Sequence, residues 1–321
     1  MAIVGTTVSN LVGGTEKRLA ATVDFLTKTE NELVRSGLTI TSPETALLMQ
    51  GGPRKGSIAY LNALDTSKVN TTVDDITVQG DTGNLTGDEY SCLRFDLNYG
   101  WGVTDLTKMV TQYDAKGGIQ AGLAAYWDAI IKRYAVASIN GVLAAGGASV
   151  SVGTAAGAFS DGLIIDAEAS AEEKSEDFDI LFVTPAIRAL MKKAEKNAFV
   201  PASQTLTKFD EYQGKKLITT TAFGAGVTVL AKSGALAFDY GTVPGEIAIE
   251  IERLPNGAGG GGAEILHSRR SFVIHPQGAN WNGSMVVPTL VQLAASAQWS
   301  IEVPVKDFGF RKIVHTATGV A

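Results

Sequence analysis

The sequence predicts an α+β protein, because strand-like and helix-like segments alternate along the chain without an internal repeat. One long amphipathic helical pattern lies near the middle, and several short strand patterns follow it. The chain has 321 residues, of which 45% are hydrophobic and 19% are charged. This composition is typical of a globular protein that buries a sizeable core, and it argues against disorder.

Charge and cysteine content exclude several functional classes. The formal net charge of −6 argues against a nucleic-acid reader, since such proteins concentrate Lys and Arg on one face. Cys92 is the single cysteine, so an internal disulfide cannot form and nothing indicates an oxidising compartment. The first residues lack a signal-peptide pattern. No apolar stretch reaches the roughly 18–20 residues that span a bilayer, so we expect no membrane role.

Residues 1–100 predict two extended appendages. Residues 1–50 contain a helical patch at 20–34 but lack the apolar density of a core, which favours an arm that lies on something else. Residues 51–100 are rich in Thr, Val, Asp and Gly, with strand-like pieces at 76–79 and 90–97. Two strands alone bury too little apolar surface to be stable, so we expect this hairpin to lean on a neighbouring subunit.

The strongest helical signal begins after Asp114, a plausible N-cap, and ends at Gly146. Between them, apolar residues recur over 119–142 with a period close to 3.6. About 30 residues at 1.5 Å each give a rod of roughly 45 Å, long enough to serve as a spine. Three glycines weaken its first turns by about 1 kcal/mol each, which leaves a break near 115–118 open. A shorter helix is predicted over 105–112.

Strand signals dominate the second half of the chain. The run FDILFVTP, which begins at Phe178, predicts a buried strand that leads into a helix with Pro185 in its first turn. We expect this strand–helix pair to start a second domain. Further strand patterns lie at 216–221, 227–230, 236–240, 246–253, 264–275 and 308–316.

Three stretches carry a resemblance to a known family. They are YGWGVTDLTKMVTQYDAKGGIQAGLAAYWDAIIKRYAVASINGVL, SRRSFVIHPQGANW and AQWSIEVPVKDFGFRKIVHT. In order and spacing they resemble the major capsid proteins of tailed phages, which have the Hong Kong 97-like shell fold. The resemblance covers about two thirds of the sequence. It implies an N-terminal arm at 1–50, an extended loop at 51–100, a peripheral domain with the spine helix at 101–177, an axial domain at 178–265 and a return to the peripheral domain at 266–321.

The same resemblance implies a structural coat protein with no enzymatic activity, cofactor or metal. Copies of it would assemble as pentamers and hexamers of an icosahedral phage head, built in the host bacterial cytoplasm and enclosing double-stranded DNA without sequence-specific binding. Because the sequence starts at Met1 without a long helical leader, we expect a separate scaffolding protein. A portal and, optionally, a decoration protein complete the expected partners. The alternative is an encapsulin-like compartment shell, which shares the fold but packages protein cargo.

Charged residues of the extended loop are the expected inter-subunit contacts. Some relatives also join their subunits through Lys–Asn isopeptide bonds, and two lysines of the loop are suitably placed for this. No asparagine partner can be named from the sequence, so solvated lysines are the favoured interpretation. The expected contact residues are Arg54, Lys55, Lys68, Asp74, Asp75 and Arg94.

Two glycine-rich motifs lack the context that nucleotide binding requires. Residues 257–262 match GxGxxG, but a strand-like segment follows them where a dinucleotide site needs a helix. The segment GGPRKGS at 51–57 lacks the Lys and Ser or Thr that follow the last glycine of a phosphate loop. We therefore interpret both as glycine-rich loops.

The residues that could carry catalysis or bind metal are scarce. His267 and His275 would share one strand face, yet two ligands rarely make a metal site. Cys92 lies in a strand-like run, which predicts a core thiol. Carboxylates between 161 and 179 lack calcium-loop spacing and are better explained as a solvated face. Trp127, with the tyrosine before it, is interpreted as core of the spine helix.

Overall fold

The computed structural model describes most of the chain in six ranges. The predicted helical patch at 20–34, apart from its last residues, and the predicted N-cap Asp114 lie outside them. The described residues are 32–61, 64–75, 77–111, 115–194, 199–201 and 209–318.

Helices and strands alternate through these ranges, as expected for an α+β chain. The helices are α1 Glu32–Arg35, α2 Pro43–Met49, α3 Asp105–Thr111, α4 Ala115–Gly146, α5 Asp161–Ala169, α6 Pro185–Ala194 and α7 Leu290–Leu293. The strands are β1 Thr39–Ile40, β2 Lys55–Leu61, β3 Gly87–Thr104, β4 Ser151–Gly153, β5 Phe178–Val183, β6 Phe199–Val200, β7 Asp210–Tyr212, β8 Lys215–Thr219, β9 Val227–Lys232, β10 Leu236–Gly241, β11 Ile249–Leu254, β12 Ala263–Pro276, β13 Ala279–Trp281, β14 Trp299–Ile301 and β15 Phe310–Val314.

Two long antiparallel strands, β3 and β12, organise a six-stranded sheet. They pair from Ala263 opposite Thr104 to Val273 opposite Arg94. On its other side β12 pairs with β11 along its first half and with β10 along its second half. Before it reaches β12, β3 pairs with β2. The 18-residue strand β3 therefore belongs both to the body of the protein and to the stem of the extended loop.

A seven-stranded sheet has the order β4-β15-β9-β5-β8-β7-β6. Its central strand β5 and the helix α6 that follows are the predicted strand–helix pair. The strands do not divide between the two sheets at the predicted boundary of 265 and 266. β10 and β11 precede that boundary but pair with β12. For β11 the cause is local, because the loop at 255–262 connects it directly to β12 and strands that are neighbours in the chain pair readily. β15 follows the boundary but pairs with β9.

The spine helix α4 packs between the two sheets. Its 32 residues rise about 48 Å. It is continuous from Ala115, so the break left open near 115–118 does not occur. Its buried side chains recur four residues apart, as at Leu123, Trp127 and Ile131. Leu123 and Trp127 pack against the six-stranded sheet, and Ile131 joins the core that both sheets share. The interpretation of Trp127 as core is confirmed, and its indole nitrogen donates a hydrogen bond to Ser268 Oγ at 3.0 Å.

Gly141 allows the C-terminal half of the spine helix to approach its neighbours closely. A Cβ atom at this position would lie 2.1 Å from the carbonyl oxygen of Leu293 and 2.5 Å from the indole nitrogen of Trp299. These distances are far shorter than van der Waals contact, so only glycine fits between the helix and the α7 segment.

The strand predicted at 76–79 is wrong for residues 77–79, and residue 76 lies outside the described ranges. The described residues of this stretch form a turn, in which the Asp75 carboxylate accepts hydrogen bonds from the Thr77 backbone nitrogen at 2.9 Å and the Thr77 hydroxyl at 2.7 Å. Aspartate side chains that bond nearby backbone groups compete with strand pairing. The predicted strand at 90–97 is confirmed within β3, and the helix predicted at 105–112 is confirmed as α3.

Among the helices that the structure describes, none combines the length and apolar character needed to cross a bilayer.

Candidate functional site: the extended loop and its base

The extended loop projects from a short two-stranded stem. β2 and β3 pair from Lys55 opposite Leu93 to Leu61 opposite Gly87. Beyond the stem, every described residue between 64 and 86 is exposed to solvent. The loop's exposed apolar side chains are Leu61, Leu64, Val69, Val73, Val78 and Leu85. Exposed apolar groups clustered on one projection mark a surface that contacts another protein.

The buried side chain of Arg94 holds the base of this loop. This side chain is only 7% exposed, and a buried arginine needs partners for its guanidinium group. Its guanidinium donates to the Leu48 carbonyl at 2.7 Å and to the Gly52 carbonyl at 3.3 Å. Gly51 and Gly52 have φ values of +112° and +87°, which favour glycine. Arg94 therefore fixes the sharp turn through which the chain passes into the loop.

Asp96 neutralises Arg94 and joins three segments. Its carboxylate accepts hydrogen bonds from Arg94 Nε at 2.9 Å, Arg54 Nε at 2.7 Å and Ser271 Oγ at 2.7 Å. Burial acts to raise the pKa of Asp96, but the hydrogen bonds from Arg94 and Ser271, with the Arg94 charge, outweigh it and hold the pKa below its usual range. One carboxylate thus connects the segment before β2 with β3 and β12.

The structure separates the six predicted contact residues into two groups. Arg54 and Arg94 meet at Asp96, and the Arg94 side chain makes its hydrogen bonds inside the subunit. Lys55 begins β2, and its amine donates to the Trp281 carbonyl at 3.5 Å. The other three lie on the exposed loop: Lys68 is 3.9 Å from Asp65, Asp74 is exposed, and Asp75 caps its own turn.

Sequence reasoning missed Asp96, although a signal was present. Arg94 and Asp96 are two residues apart in a predicted strand, which places both on the same face. An arginine and an aspartate on one face of a strand that is otherwise buried indicate an internal ion pair. The prediction that these six residues contact a neighbouring subunit stays a prediction for all of them, Arg94 included.

Two further apolar surfaces were also missed. Helix α3 exposes apolar residues at positions i, i+3 and i+4, and the segment before and within α7 exposes four more. The spacing of the first group was visible in the sequence, but a helix of seven residues gives a weak periodic signal. The residues are Leu106, Met109 and Val110 in the first surface, and Met285, Val286, Val287 and Val291 in the second.

Known proteins resemble this chain along most of its length. No family model matches it. The major capsid protein of Bacillus phage SPP1 is 27% identical over 282 residues, which cover 83% of this chain and 85% of that protein. The chain is a tailed-phage major capsid protein.

Solved structures agree on the capsid fold. The capsid of Ralstonia phage GP4 superimposes with a TM-score of 0.58 at 12% identity, covering 87% of each chain. A chain from Microbacterium phage Oxtober96 superimposes with a TM-score of 0.55 at 14% identity, covering 86% of this chain and 92% of that one. The predicted α+β shell fold and the structural role in the virion capsid are confirmed. An encapsulin-like compartment shell is not favoured.

Two of the reactive side chains of this capsid protein, Cys92 and His275, lie in packed surroundings. Cys92 is fully buried, and burial raises the pKa of its thiol to about 11, which confirms the predicted core thiol. His275 is buried and stacked on Tyr90, and burial lowers its pKa to about 4. His267, on the first half of β12, lies 3.1 Å from the carboxylate of Glu252 on β11. Within the described ranges, no three His, Cys, Asp or Glu side chains group as they would around a metal ion.

The GxGxxG match at 257–262 is a turn in this capsid protein. It connects β11 to the antiparallel strand β12, and Gly262 donates its backbone N–H to the Gly257 carbonyl at 3.0 Å. No helix follows it. The interpretation as a glycine-rich loop is confirmed.

Proposed function

We propose that this capsid protein builds the pentamers and hexamers of an icosahedral head, in which the extended loop of each copy is covered by a neighbouring copy. The exposed apolar side chains between 61 and 85 carry this proposal, because the described part of the same subunit covers none of them. Full burial of one such side chain stabilises an interface by about 1.5–3 kcal/mol. A handful of contacts of this size, repeated around a closed shell, is sufficient for assembly through multivalency.

The proposed domain assignment follows the expected architecture. The arm comprises 1–50, the extended loop 51–100, the peripheral domain 101–177 and 266–321, and the axial domain 178–265. Strand pairing supports one refinement: β10 and β11 belong with the six-stranded sheet of the peripheral domain, and β4 and β15 belong with the seven-stranded sheet of the axial domain.

We propose electrostatic contacts between subunits at the charged residues of the loop. Arg54 is 43% exposed on its side chain and Lys68 is 82% exposed. Asp74 and Asp75 lie on the exposed turn of the loop, and Lys55 lies at the end of its stem. Exposed ion pairs contribute about 0–1 kcal/mol each, so these residues would align the loop while apolar side chains supply most of the binding free energy. Arg94 belongs to the same proposed set of contacts, and from inside the subunit it also fixes the turn at the loop's base.

The remaining partners belong to the proposal as well. Copies would assemble in the host bacterial cytoplasm on a separate scaffolding protein, around a portal, and a decoration protein is an optional addition to the outer surface. Double-stranded DNA would be enclosed without sequence-specific contacts, in keeping with the net charge of −6. The protein would act without catalysis, cofactor or metal.

Replacement of exposed apolar side chains of the loop by charged ones tests this function. The triple variant Leu64→Asp, Val69→Asp and Val73→Asp should leave the subunit folded, because all three side chains are exposed. It should lose shell formation when co-expressed with the phage's other head proteins. Negative-stain microscopy and sedimentation measure the outcome.

A matched control separates loss of apolar contact from added charge. Thr66→Asp, Thr71→Asp and Thr72→Asp add the same three charges to exposed polar positions of the same loop. This control should retain shells. Normal shells from the apolar triple variant would overturn the proposal, and loss of shells from both variants would show that charge alone is responsible.

A further inference from the structure

An apolar groove lies where the spine helix α4, the seven-stranded sheet and α7 meet. Its volume is about 330 Å³, at the lower end of the range for ligand-binding pockets, about 300–1,000 Å³. Its apolar lining includes Val136 and Ala137 from the spine helix, Phe182 and Ile218 from the sheet, and Leu290 from the α7 side. The groove is distant in sequence from the extended loop and takes no part in the loop's proposed contacts.

The apolar surface continues beyond the groove. On the α7 side of the groove, Val287 is 56% exposed and Val291 is 81% exposed. A buried apolar floor that continues into exposed apolar side chains is typical of a protein-docking surface. The apolar surface available to a partner therefore extends beyond the enclosed groove.

The positive charge at the rim of the groove favours a negatively charged partner. Lys132 and Arg133 line the groove, and none of the described residues in its lining carries a carboxylate. Asp128 lies 2.8 Å from Lys132 and partly neutralises it, so the positive potential depends mainly on exposed Arg133. In a chain of net charge −6, a cationic rim around an apolar floor is complementary to an acidic, apolar segment.

The surrounding strands determine how such a segment would bind. The strands that contribute Phe182 and Ile218 are both interior strands of the sheet: β5 pairs with β9 and β8, and β8 pairs with β5 and β7. Neither offers a free edge to which an extended peptide could add as a further strand. From Lys132 to Asn140 the spine helix lines about 12 Å of the groove, which equals about two turns of a second helix. The groove thus suits the apolar face of a helix.

We propose that this groove binds an acidic amphipathic helix carried by another protein. Apolar side chains spaced at i, i+3 and i+4 would enter the floor between Val136 and Phe182, and carboxylates on the flank would face Arg133. The proposal is independent of the role of the extended loop, because it concerns a different surface and a different partner.

Binding of a defined probe to the unassembled full-length chain tests this proposal. The probe is a fluorescein-labelled peptide of about 15 residues, long enough to populate a helix when bound, with leucines at i, i+3, i+4 and i+7 and glutamates between them. A second peptide carries lysine at each glutamate position. Fluorescence anisotropy should show saturable binding of the acidic peptide and no saturable binding of the basic one.

Two variants locate the binding site. Ala294→Trp fills the groove from an exposed position of its wall, and Arg133→Glu reverses the charge at its rim. Each should weaken binding at least about tenfold, which is ~1.4 kcal/mol. Lys68→Glu makes the same charge reversal on the extended loop and should leave binding unchanged. Circular dichroism and the urea midpoint verify that each variant is folded.

Three outcomes would overturn the proposal. These are absence of saturable binding to the acidic peptide, equal binding of the basic peptide, and binding that Ala294→Trp leaves unchanged. A fourth outcome would overturn it in favour of a different occupant. If wild-type chains self-associate, if Ala294→Trp abolishes this self-association, and if the acidic peptide does not compete with it, the groove binds a second copy of the chain.

Discussion

Asp96 offers a quantitative test of how the base of the extended loop is held. The substitution Asp96→Asn keeps the shape of the side chain but removes its charge. Arg94 is then left with its positive charge, 7% exposed and without a counterion among the groups that contact it here. Removal of one partner from a buried ion pair costs about 3–5 kcal/mol. Asp96 is 17% exposed and asparagine can still accept one hydrogen bond, so we expect the lower end, about 3 kcal/mol.

Urea unfolding of the unassembled subunit measures this change. The midpoint should fall while the slope with denaturant stays constant, because the surface exposed on unfolding is unchanged. Arg54→Gln is the matched control, since it removes the exposed cation from the same carboxylate. Arg54 is 43% exposed, and we expect a loss of at most about 1 kcal/mol. A loss below about 1 kcal/mol for Asp96→Asn would refute the assignment of Asp96 as the group that neutralises Arg94.

The pH dependence gives an independent check with a definite sign. The folded-state pKa of Asp96 is lowered, so the carboxylate contributes stability that is fully present above its unfolded pKa, ~3.9. That contribution is lost as the pH falls through the folded pKa. Wild type and Asp96→Asn should therefore differ most at neutral pH and converge in acid. A difference that grows as the pH falls would contradict the assignment.

Two further predictions concern packing and reactivity. Gly141→Ala should destabilise the subunit by more than about 2 kcal/mol, because its Cβ would overlap the Leu293 carbonyl. Gly122→Ala is the control: a Cβ there meets nothing within 4 Å, so this variant should be neutral or stabilising. Equal urea midpoints for the two variants would contradict the prediction. Cys92 should react with iodoacetamide only on unfolding, since it is fully buried and its pKa is raised to about 11; labelling of native subunit at pH 8 at the rate of an exposed thiol would refute this.

Local patterns in the sequence predicted the elements of the fold better than their arrangement. The spine helix was predictable because its apolar period persists over many turns, and β3 and β12 were predictable from strand-like composition. Their partners were not, because pairing depends on contacts such as Phe272 opposite Phe95, which are 177 positions apart in the chain. This is also why the assignment of β10 and β15 to their sheets could not be read from the order of elements.

The candidate surfaces were predictable only in part. That the loop projects followed from its composition, rich in Thr, Val, Asp and Gly, and from the marginal stability of a lone hairpin. The strand predicted at 76–79 was wrong because β-branched residues there suggested pairing, while Asp75 stabilises a local turn instead. The groove beside the spine helix was beyond sequence reasoning, since Val136, Phe182 and Leu290 meet only in the folded chain.

The central claim, that neighbouring copies cover the exposed apolar side chains of the extended loop, is tested most directly by thiol labelling of Val73→Cys. Val73 is 52% exposed in the subunit, and the native cysteine is buried, so the variant presents one reactive thiol. The new thiol should react rapidly in the free subunit and become protected in assembled shells. Equal labelling rates in free subunits and in intact shells would contradict the claim.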